Sequence, residues 1–138
     1  MSGFLGRVFG STIGGKKSVW IRGENAAAKH MHKIGYRVVA RNLRLSMGEI
    51  DLVCEDPKSG TLVVVEVKAR ERKTSDTRRI DPEASITAAK KTKLRTLTTA
   101  LTKQERYQNR PIRIDVIAVV FEQGSKKPIE LRHYESAV

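Results

Sequence analysis

The stretch GEIDLVCEDPKSGTLVVVEVKAR, residues 48–70, contains two apolar strand-like runs that carry charged side chains within them. Asp51 lies in the first run, and Glu66 and Lys68 lie in the second. The valines around Glu66 are β-branched and apolar on both faces of the pleat, which is typical of a strand buried on both sides. Burying an ionised group is costly unless it is paired or coordinated, so these charges indicate an ion pair or a binding site.

The two-residue period of a strand places Glu66 and Lys68 on one face. In the first run, Asp51 falls on the face opposite to an apolar set, Ile50, Leu52 and Cys54. The turn-rich segment at residues 56–60 predicts a hairpin connection between the two runs. Antiparallel pairing across that hairpin would bring Asp51 beside Glu66 and Lys68.

Two carboxylates and a lysine on one face suit metal-dependent hydrolysis of a phosphodiester. Mg²⁺ and Mn²⁺ prefer hard oxygen ligands, and two carboxylates leave coordination positions for water and a substrate phosphate. The cation would polarise the phosphoryl oxygen and lower the pKa of its bound water, while Lys68 would orient that water or stabilise negative charge. The alternative is an exposed charged stripe on a sheet that has one wet face.

Residues 22–34 are alanine-rich and predict a helix that ends at Gly35. Glu24 projects from the same face as the apolar side chains that would pack on the sheet, Ala27, Ala28, Met31 and Ile34. Either Glu24 simply suits the positive end of the helix dipole, or it is a third acid directed at the Asp51 and Glu66 site. His30 and His32 do not share a face of this helix, and we interpret both as surface residues.

Asp81 and the proline after it predict a second helix over residues 81–104. Its inner stripe consists of Ile86, Leu94, Leu97 and Leu101. At 100° per residue from Ile86, Lys90 lies at about 40°, inside that stripe. Lys90 therefore either snorkels to the edge of the sheet or supplies a second cation to the site.

Basic and polar side chains flank the predicted site in two segments. A strand predicted at residues 36–42 ends beside residues able to hold phosphate, although a solvated loop is the alternative there. Residues 70–79 are too polar for a core and predict a loop that closes on nucleic acid or is simply solvated. The nucleic-acid-binding candidates are Arg41, Asn42, Arg44, Arg70, Arg72, Lys73, Arg78, Arg79 and Lys90.

Composition favours a single basic domain with a polyanionic partner. The 138 residues include 27 Lys and Arg against 15 Asp and Glu, a formal charge of +12. Aromatic residues make up only 5%, so phosphate contacts rather than base stacking should dominate. We expect a flexible tail at residues 1–20, one domain at residues 21–138, a cytoplasmic location and no membrane span.

Two further strands are predicted at residues 112–121 and 129–134, the second at an edge. Asp115 lies inside the first of them, and we interpret it as the partner of a nearby Arg or Lys rather than as a metal ligand. Cys54 is the single cysteine and is expected to be buried in the core. The complete order of predicted elements is αβββαββ.

The pattern of Asp51, fourteen residues and then Glu66-Val67-Lys68 resembles the D…(D/E)-x-K motif of restriction-endonuclease-like nucleases. Residues 22–121 as a whole resemble the YraN family of uncharacterised bacterial proteins. The segments that carry this resemblance are Gly23-Glu24-xx-Ala27, Gly35-Tyr36, Ala40-Arg41-Asn42, GEIDL at 48–52, VEVK at 65–68, Lys90 and RIDV at 113–116. The same order of helical Glu, Asp and E-x-K is similar to that of archaeal Holliday-junction resolvases.

The resemblance implies a restriction-endonuclease-like α/β core, with a mixed central sheet flanked by helices. It implies Mg²⁺ or Mn²⁺ on Asp51 and Glu66, aided by the Val67 carbonyl and completed by Glu24, with Lys68 activating water. The implied function is a DNA endonuclease for branched or damaged duplexes, and junction resolvases act as symmetric dimers, which implies a homodimer. Two alternatives stay open: a non-catalytic nucleic-acid-binding module with the same fold, and a scaffold for an acidic protein partner.

Overall fold

The computed structural model describes residues 16–138, with side-chain surroundings from residue 19 onward. It has the predicted α/β architecture, a five-stranded mixed sheet between two helices, and the predicted order αβββαββ. The main elements are α1 (Lys16–Lys33), β1 (Arg37–Leu45), β2 (Gly48–Glu55), β3 (Leu62–Arg72), α2 (Ala88–Thr102), β4 (Ile112–Glu122) and β5 (Pro128–Tyr134). Two short 3₁₀ helices, Pro82–Ser85 and Glu105–Tyr107, flank α2.

The strands lie in the order β1-β2-β3-β4-β5, and only β3 and β4 run parallel. The hairpins β1–β2 and β2–β3 form from adjacent segments, whereas the parallel pair needs a long crossover, which carries α2. β5 pairs antiparallel with β4 and forms one edge, as predicted. This topology places β3, with its charged residues, in the centre of the sheet.

Each helix covers one face of the sheet, so the protein has two apolar layers. The layer between α1 and the sheet consists of Ala27, Met31, Leu52, Cys54, Val63, Val65, Val67, Ile117, Val119 and Phe121. The layer between α2 and the sheet consists of Ile50, Val53, Leu62, Val64, Leu94, Leu97, Leu101, Tyr107 and Ile114. β3 therefore contributes valines to both layers, which confirms that this strand is buried on both sides, and the buried position predicted for Cys54 is also confirmed.

The first helix begins earlier than the sequence indicated. Helix α1 starts at Lys16 rather than near Arg22, so residues 16–20 of the predicted tail are helical. The rest of the predicted tail, residues 1–15, lies outside the described residues. The predicted stop at Gly35 is correct: Gly35 has φ +99°, and the N–H groups of Gly35 and Tyr36 donate to the carbonyls of His32 and Met31. These two bonds form a Schellman motif, in which glycine readily takes the left-handed position.

The second helix begins later than predicted. Pro82 starts a short 3₁₀ helix, but Ile86 and Thr87 are extended, and α2 begins only at Ala88. Thr87 is the N-cap, since its hydroxyl accepts a hydrogen bond from the Lys90 N–H at 3.2 Å. Asp81 makes no side-chain capping bond, so the sequence signal at Asp81 marked the wrong helix start.

Two strands extend further than predicted. β1 continues through Leu45, where it pairs with Gly48 and closes a tight hairpin. β3 continues through Arg72, a segment that we had assigned to a loop because of its polarity. The extension follows from β4, whose backbone offers a partner for every residue of β3 up to the pair Arg72 and Glu122.

Candidate metal centre at a split in the sheet

The candidate site lies where β2 separates from β3. Their pairing ends at Leu52 and Val65, while β2 remains paired with β1 and β3 remains paired with β4. Asp51 and Glu66 are the next residues on the two diverging strands. The split therefore opens between the two carboxylates that the sequence predicted to be neighbours.

A hydrogen bond fixes Asp51 at this split. The N–H of Val67 donates to Asp51 Oδ2 at 2.8 Å, so the carboxylate takes the place of the backbone partner that the departing strand would have provided. In an extended strand the N–H and C=O of one residue point to the same side. The Val67 carbonyl therefore faces the split as well, where a cation held by Asp51 could reach it.

The face pattern of β2 changes at Asp51. Leu52 packs in the α1 layer and Ile50 packs in the α2 layer. The predicted alternation, with Ile50, Leu52 and Cys54 on a single face, is therefore wrong at Ile50. The strand switches faces at Asp51, whose carboxyl is acted on by both Glu66 and Glu24.

The surroundings of Asp51 disfavour its charged form. Burial, the negative charge of Glu66 and a hydrogen bond with Glu66, together with the charge of Glu24, raise the pKa of Asp51 to about 9, although the Val67 N–H acts in the opposite direction. Near neutral pH, the neutral form of the Asp51 carboxyl is therefore favoured. A bound cation would relieve the same repulsion by adding positive charge.

Close packing of α1 on β3 places Glu24 near this pair. Gly23 lies directly over Ala69, where an added Cβ would be only 2.5 Å from the Ala69 Cβ. Glu24 follows Gly23 and is 2% exposed, so its carboxylate is held inside the protein at the face of the sheet. The prediction that Glu24 points toward the sheet is confirmed, whereas its predicted role as a ligand stays a prediction.

Lys68 lies beside Glu66 on the same face of β3. Its Nζ is 3.4 Å from Glu66 Oε2, and the exposed fractions of the two side chains are 22% and 17%. Partial burial limits screening by solvent, so the ammonium acts on its surroundings more strongly than a surface lysine would. The structure therefore brings together Asp51, Glu66 and Lys68, with Glu24 close enough to affect Asp51.

The donor set fits a hard cation that retains much of its water. Among residues 19–138, no three His, Cys, Asp or Glu side chains converge tightly enough to hold a metal ion without rearrangement. Mg²⁺, however, is usually bound by one or two carboxylates and keeps several waters. Asp51, Glu66 and the Val67 carbonyl meet that requirement, since the two carboxyl groups already contact each other at the split.

Most of the arginines predicted to bind nucleic acid already have partners. Arg41 donates to Asn25 Oδ1 at 2.6 Å, and four others pair with carboxylates: Arg44 with Glu49, Arg72 with Glu122, Arg78 with Asp76 and Arg79 with Asp81. Within the described part of the chain, Arg70, Lys73 and Lys90 are exposed and form no salt bridge. Of the cations predicted to bind nucleic acid, these three are the ones whose side chains bond no other side chain among the described residues.

Lys90 is exposed in the first turn of α2, one turn before Leu94, the first buried residue of this helix. It keeps the angular position of Leu94, Leu97 and Leu101, and its exposure agrees with the first of its two predicted alternatives, a side chain that reaches the edge of the sheet. Another lysine of α2 comes closer to the sheet: a Cβ at Gly48 would lie 3.3 Å from the Lys93 Cε. Lys93 precedes Leu97 by one turn of α2, and this spacing is the signal in the sequence that could have identified it.

A network of polar side chains joins β4, β5 and α1 through Arg113, Asp115, His133 and His30. The sequence did not predict this network. Asp115 is fully buried and accepts two hydrogen bonds from Arg113, at 3.0 and 3.1 Å, which confirms its predicted basic partner. His133 Nε2 lies 2.7 Å from Asp115 Oδ2, and His133 Nδ1 lies 3.1 Å from His30 Nε2. The interpretation of His30 as a surface residue is therefore wrong, because its partner comes from β5, about 100 residues away in sequence.

This network keeps Asp115 ionised. Burial would raise the pKa of Asp115, but hydrogen bonds from Arg113, the Ser136 N–H and His133 outweigh it and lower the pKa below its usual range. Burial and the charge of His133 lower the pKa of His30. The network ties α1 and β5 to the centre of the sheet.

None of the helices formed by residues 16–138 combines the length and apolar character needed to cross a membrane.

Comparison with known proteins places the chain in a bacterial family. Residues 23–119 match the model of the uncharacterised protein family UPF0102, a range that includes every acid of the candidate site. A UPF0102 protein of Renibacterium salmoninarum is 41% identical over 108 residues, covering 78% of this chain and 86% of that protein. One from Symbiobacterium thermophilum is 40% identical over 97 residues, covering 70% and 77%.

A third relative aligns over most of both chains. The UPF0102 protein of Desulforamulus reducens is 35% identical over 126 residues, which is 89% of this chain and 97% of that protein. Similarity of this extent, together with the family match over residues 23–119, confirms the family resemblance seen in the motifs. The chain therefore belongs to the uncharacterised protein family UPF0102.

Proposed function

We propose that this protein is a metal-dependent endonuclease that hydrolyses phosphodiester bonds in DNA. The observation that carries the proposal is the pair of carboxylates at the split between β2 and β3. The Val67 N–H anchors Asp51 through a hydrogen bond, and burial and neighbouring acids raise the pKa of Asp51. The Lys68 Nζ lies 3.4 Å from Glu66 Oε2. Acids arranged this way favour a cation, and a lysine beside them suits a developing negative charge.

Each residue of the site has a distinct role in this proposal. Asp51 and Glu66 hold Mg²⁺ or Mn²⁺ together with the Val67 carbonyl, and Glu24 orients water around the site. When bound, the cation supplies Lewis-acid polarisation and lowers the pKa of a bound water. Lys68 orients the attacking water and stabilises charge on the phosphate as the bond breaks.

The charge of the chain supports a nucleic-acid substrate. A formal charge of +12 attracts a polyanion at long range, and the exposed side chains Arg70, Lys73 and Lys90 are available for phosphate contacts. Phosphate contacts position a duplex without reading its sequence, so selectivity would depend on the shape of the DNA. Branched or damaged duplex is the proposed substrate, and a homodimer is the proposed assembly for a symmetric junction.

A cleavage assay tests the activity. Purified protein is incubated with linear, nicked and four-way-junction DNA in Mg²⁺ or Mn²⁺, in parallel with Asp51→Ala, Lys68→Ala and the control Lys58→Ala. Lys58 is exposed in the turn between β2 and β3 and is a matched lysine outside the site. Cleavage should be lost in the two site variants and retained in the control; cleavage that survives both site variants overturns the assignment.

A second candidate is a nucleic-acid-binding module without catalysis. It is favoured by one observation, the absence of three converging metal-binding side chains in residues 19–138. This module would bind DNA with a steep dependence on salt and with no change on adding metal. Binding measured from 50 to 200 mM salt, in EDTA and in Mn²⁺, distinguishes the two candidates.

A further inference from the structure

Asn42 of β1, an uncharged residue, lies opposite Asp51 of β2 in the sheet. Arg41 pairs with Leu52 and Leu43 pairs with Ile50, which leaves Asn42 and Asp51 opposite each other between these two pairs. Asn42, Asp51 and Glu66 thus occupy one row across β1, β2 and β3. The row ends at the split that contains the two carboxylates.

The backbone of Asn42 departs from strand geometry. Its φ is +51°, in the left-handed region, although it lies inside a strand that continues to Leu45. Asparagine tolerates this conformation better than most residues, but it is still unfavourable relative to an extended strand. The left-handed conformation of Asn42 lies opposite Asp51, where β2 changes face. Both strands are therefore irregular at the same pair of residues.

The side chain of Asn42 lowers the stability of the fold in a second way. Its amide oxygen is shielded from solvent and has no hydrogen-bond partner among the described residues. A buried acceptor without a donor is destabilising, and in native proteins such a group calls for an explanation.

We propose that Asn42 is an additional binding residue of the metal centre, and that its amide oxygen accepts a hydrogen bond from cation-bound water or ligates the cation directly. This inference rests on the proposed function. Amide oxygens are hard ligands of the kind that Mg²⁺, Mn²⁺ and Ca²⁺ accept beside carboxylates. A neutral donor also adds a ligand without adding to the repulsion among Glu24, Asp51 and Glu66.

Substitution by glycine tests this role, because glycine keeps the left-handed backbone and removes only the amide. The matched control is Asn109→Gly, since Asn109 has a similar φ of +56° but is exposed in the connection before β4. Titration calorimetry with Mn²⁺ gives the affinity, and thermal unfolding in EDTA gives the stability of the metal-free chain. Asn42→Asp, which retains an oxygen at the same place, is the second variant.

We expect Asn42→Gly to bind Mn²⁺ about 10- to 100-fold more weakly than wild type, the range for loss of a supporting group around a metal. Asn109→Gly should bind as wild type, and Asn42→Asp should bind at least as tightly. In EDTA, Asn42→Gly should unfold no earlier than Asn109→Gly. If Asn42→Gly does not fold, Asn42→Asp decides alone, since weaker binding than wild type contradicts the inference.

Other results separate the inference from the proposed function. Wild-type affinity in Asn42→Gly overturns the role of Asn42 and leaves the metal centre standing. Failure of wild type to bind Mn²⁺ at all overturns the metal centre itself, and the role of Asn42 with it.

Discussion

Replacement of Asp51 by asparagine should make the metal-free protein more stable at neutral pH. The variant retains an oxygen that can accept the Val67 N–H, which now bonds Asp51 Oδ2 at 2.8 Å. It removes a carboxyl group whose pKa is raised to about 9 by burial and by the neighbouring acids. The substitution therefore separates the structural hydrogen bond from the charge.

The magnitude follows from proton linkage. The ordinary pKa of the carboxyl is 3.8, so between that value and about 9 the folded chain keeps a proton that the unfolded chain has released. A group of this kind lowers stability as pH rises, by up to about 1.4 kcal/mol for each pH unit. From pH 5 to pH 7 the wild type should lose up to about 2.7 kcal/mol through this group, and Asp51→Asn should lose none through it.

Urea unfolding at pH 5, 6 and 7 in EDTA measures the difference between the two proteins. Asp76→Asn is the control, because Arg78 lowers the pKa of Asp76 to about 2 and its contribution is constant over this range. Adding Mg²⁺ should stabilise the wild type but not Asp51→Asn, by about 2.7 kcal/mol when the metal is at 100 times its Kd. A variant whose stability changes with pH as steeply as the wild type would refute the reasoning.

Three further substitutions test the surroundings of the site. Gly23→Ala should lower stability by about 1–3 kcal/mol in urea unfolding despite the better helix propensity of alanine, because its Cβ would meet the Ala69 Cβ at 2.5 Å; adding Ala69→Gly should restore most of the loss. Asp115→Asn should destabilise by about 3 kcal/mol in the same assay, since it removes a fully buried carboxylate from its ion pair with the partly exposed Arg113, and wild-type stability would contradict that. The lowered pKa of His30 means that its neutral form is favoured in the folded chain and that stability is lost as pH falls below 6.5. His30→Gln should therefore reduce the loss of stability between pH 7 and pH 5 relative to wild type, and an NMR titration of His30 that gives a normal pKa would exclude this explanation.

The sequence was sufficient to predict the architecture and the central acids. Charges inside a valine-rich strand have few explanations, so Asp51, Glu66 and Lys68 were identified from local pattern alone, and the structure brings them together. Glu24 was also found by pattern, because helical spacing fixes which side chains share a face. These predictions depend on contacts that are close in sequence or on a single element.

The incorrect predictions concern interactions that join distant segments. His30 is partly buried because His133 reaches it from β5, and the polar end of β3 is a strand because β4 pairs with it. The predicted start of the second helix was wrong because Thr87, not Asp81, caps α2. The change of face at Asp51 depends on irregularities in two strands at once, and a period of two residues cannot reveal it.

The parallel pairing of β3 with β4 also bears on how the molecule folds. Leu62 pairs with Ile112, fifty positions away, whereas Asp51 and Glu66 are only fifteen positions apart. Closing the longer segment costs about 1 kcal/mol more chain entropy, and such non-local pairing slows folding. We therefore expect the β1–β2–β3 meander to form first. The repelling acids would then meet while still open to water, and docking of β4 and the helices would bury them last.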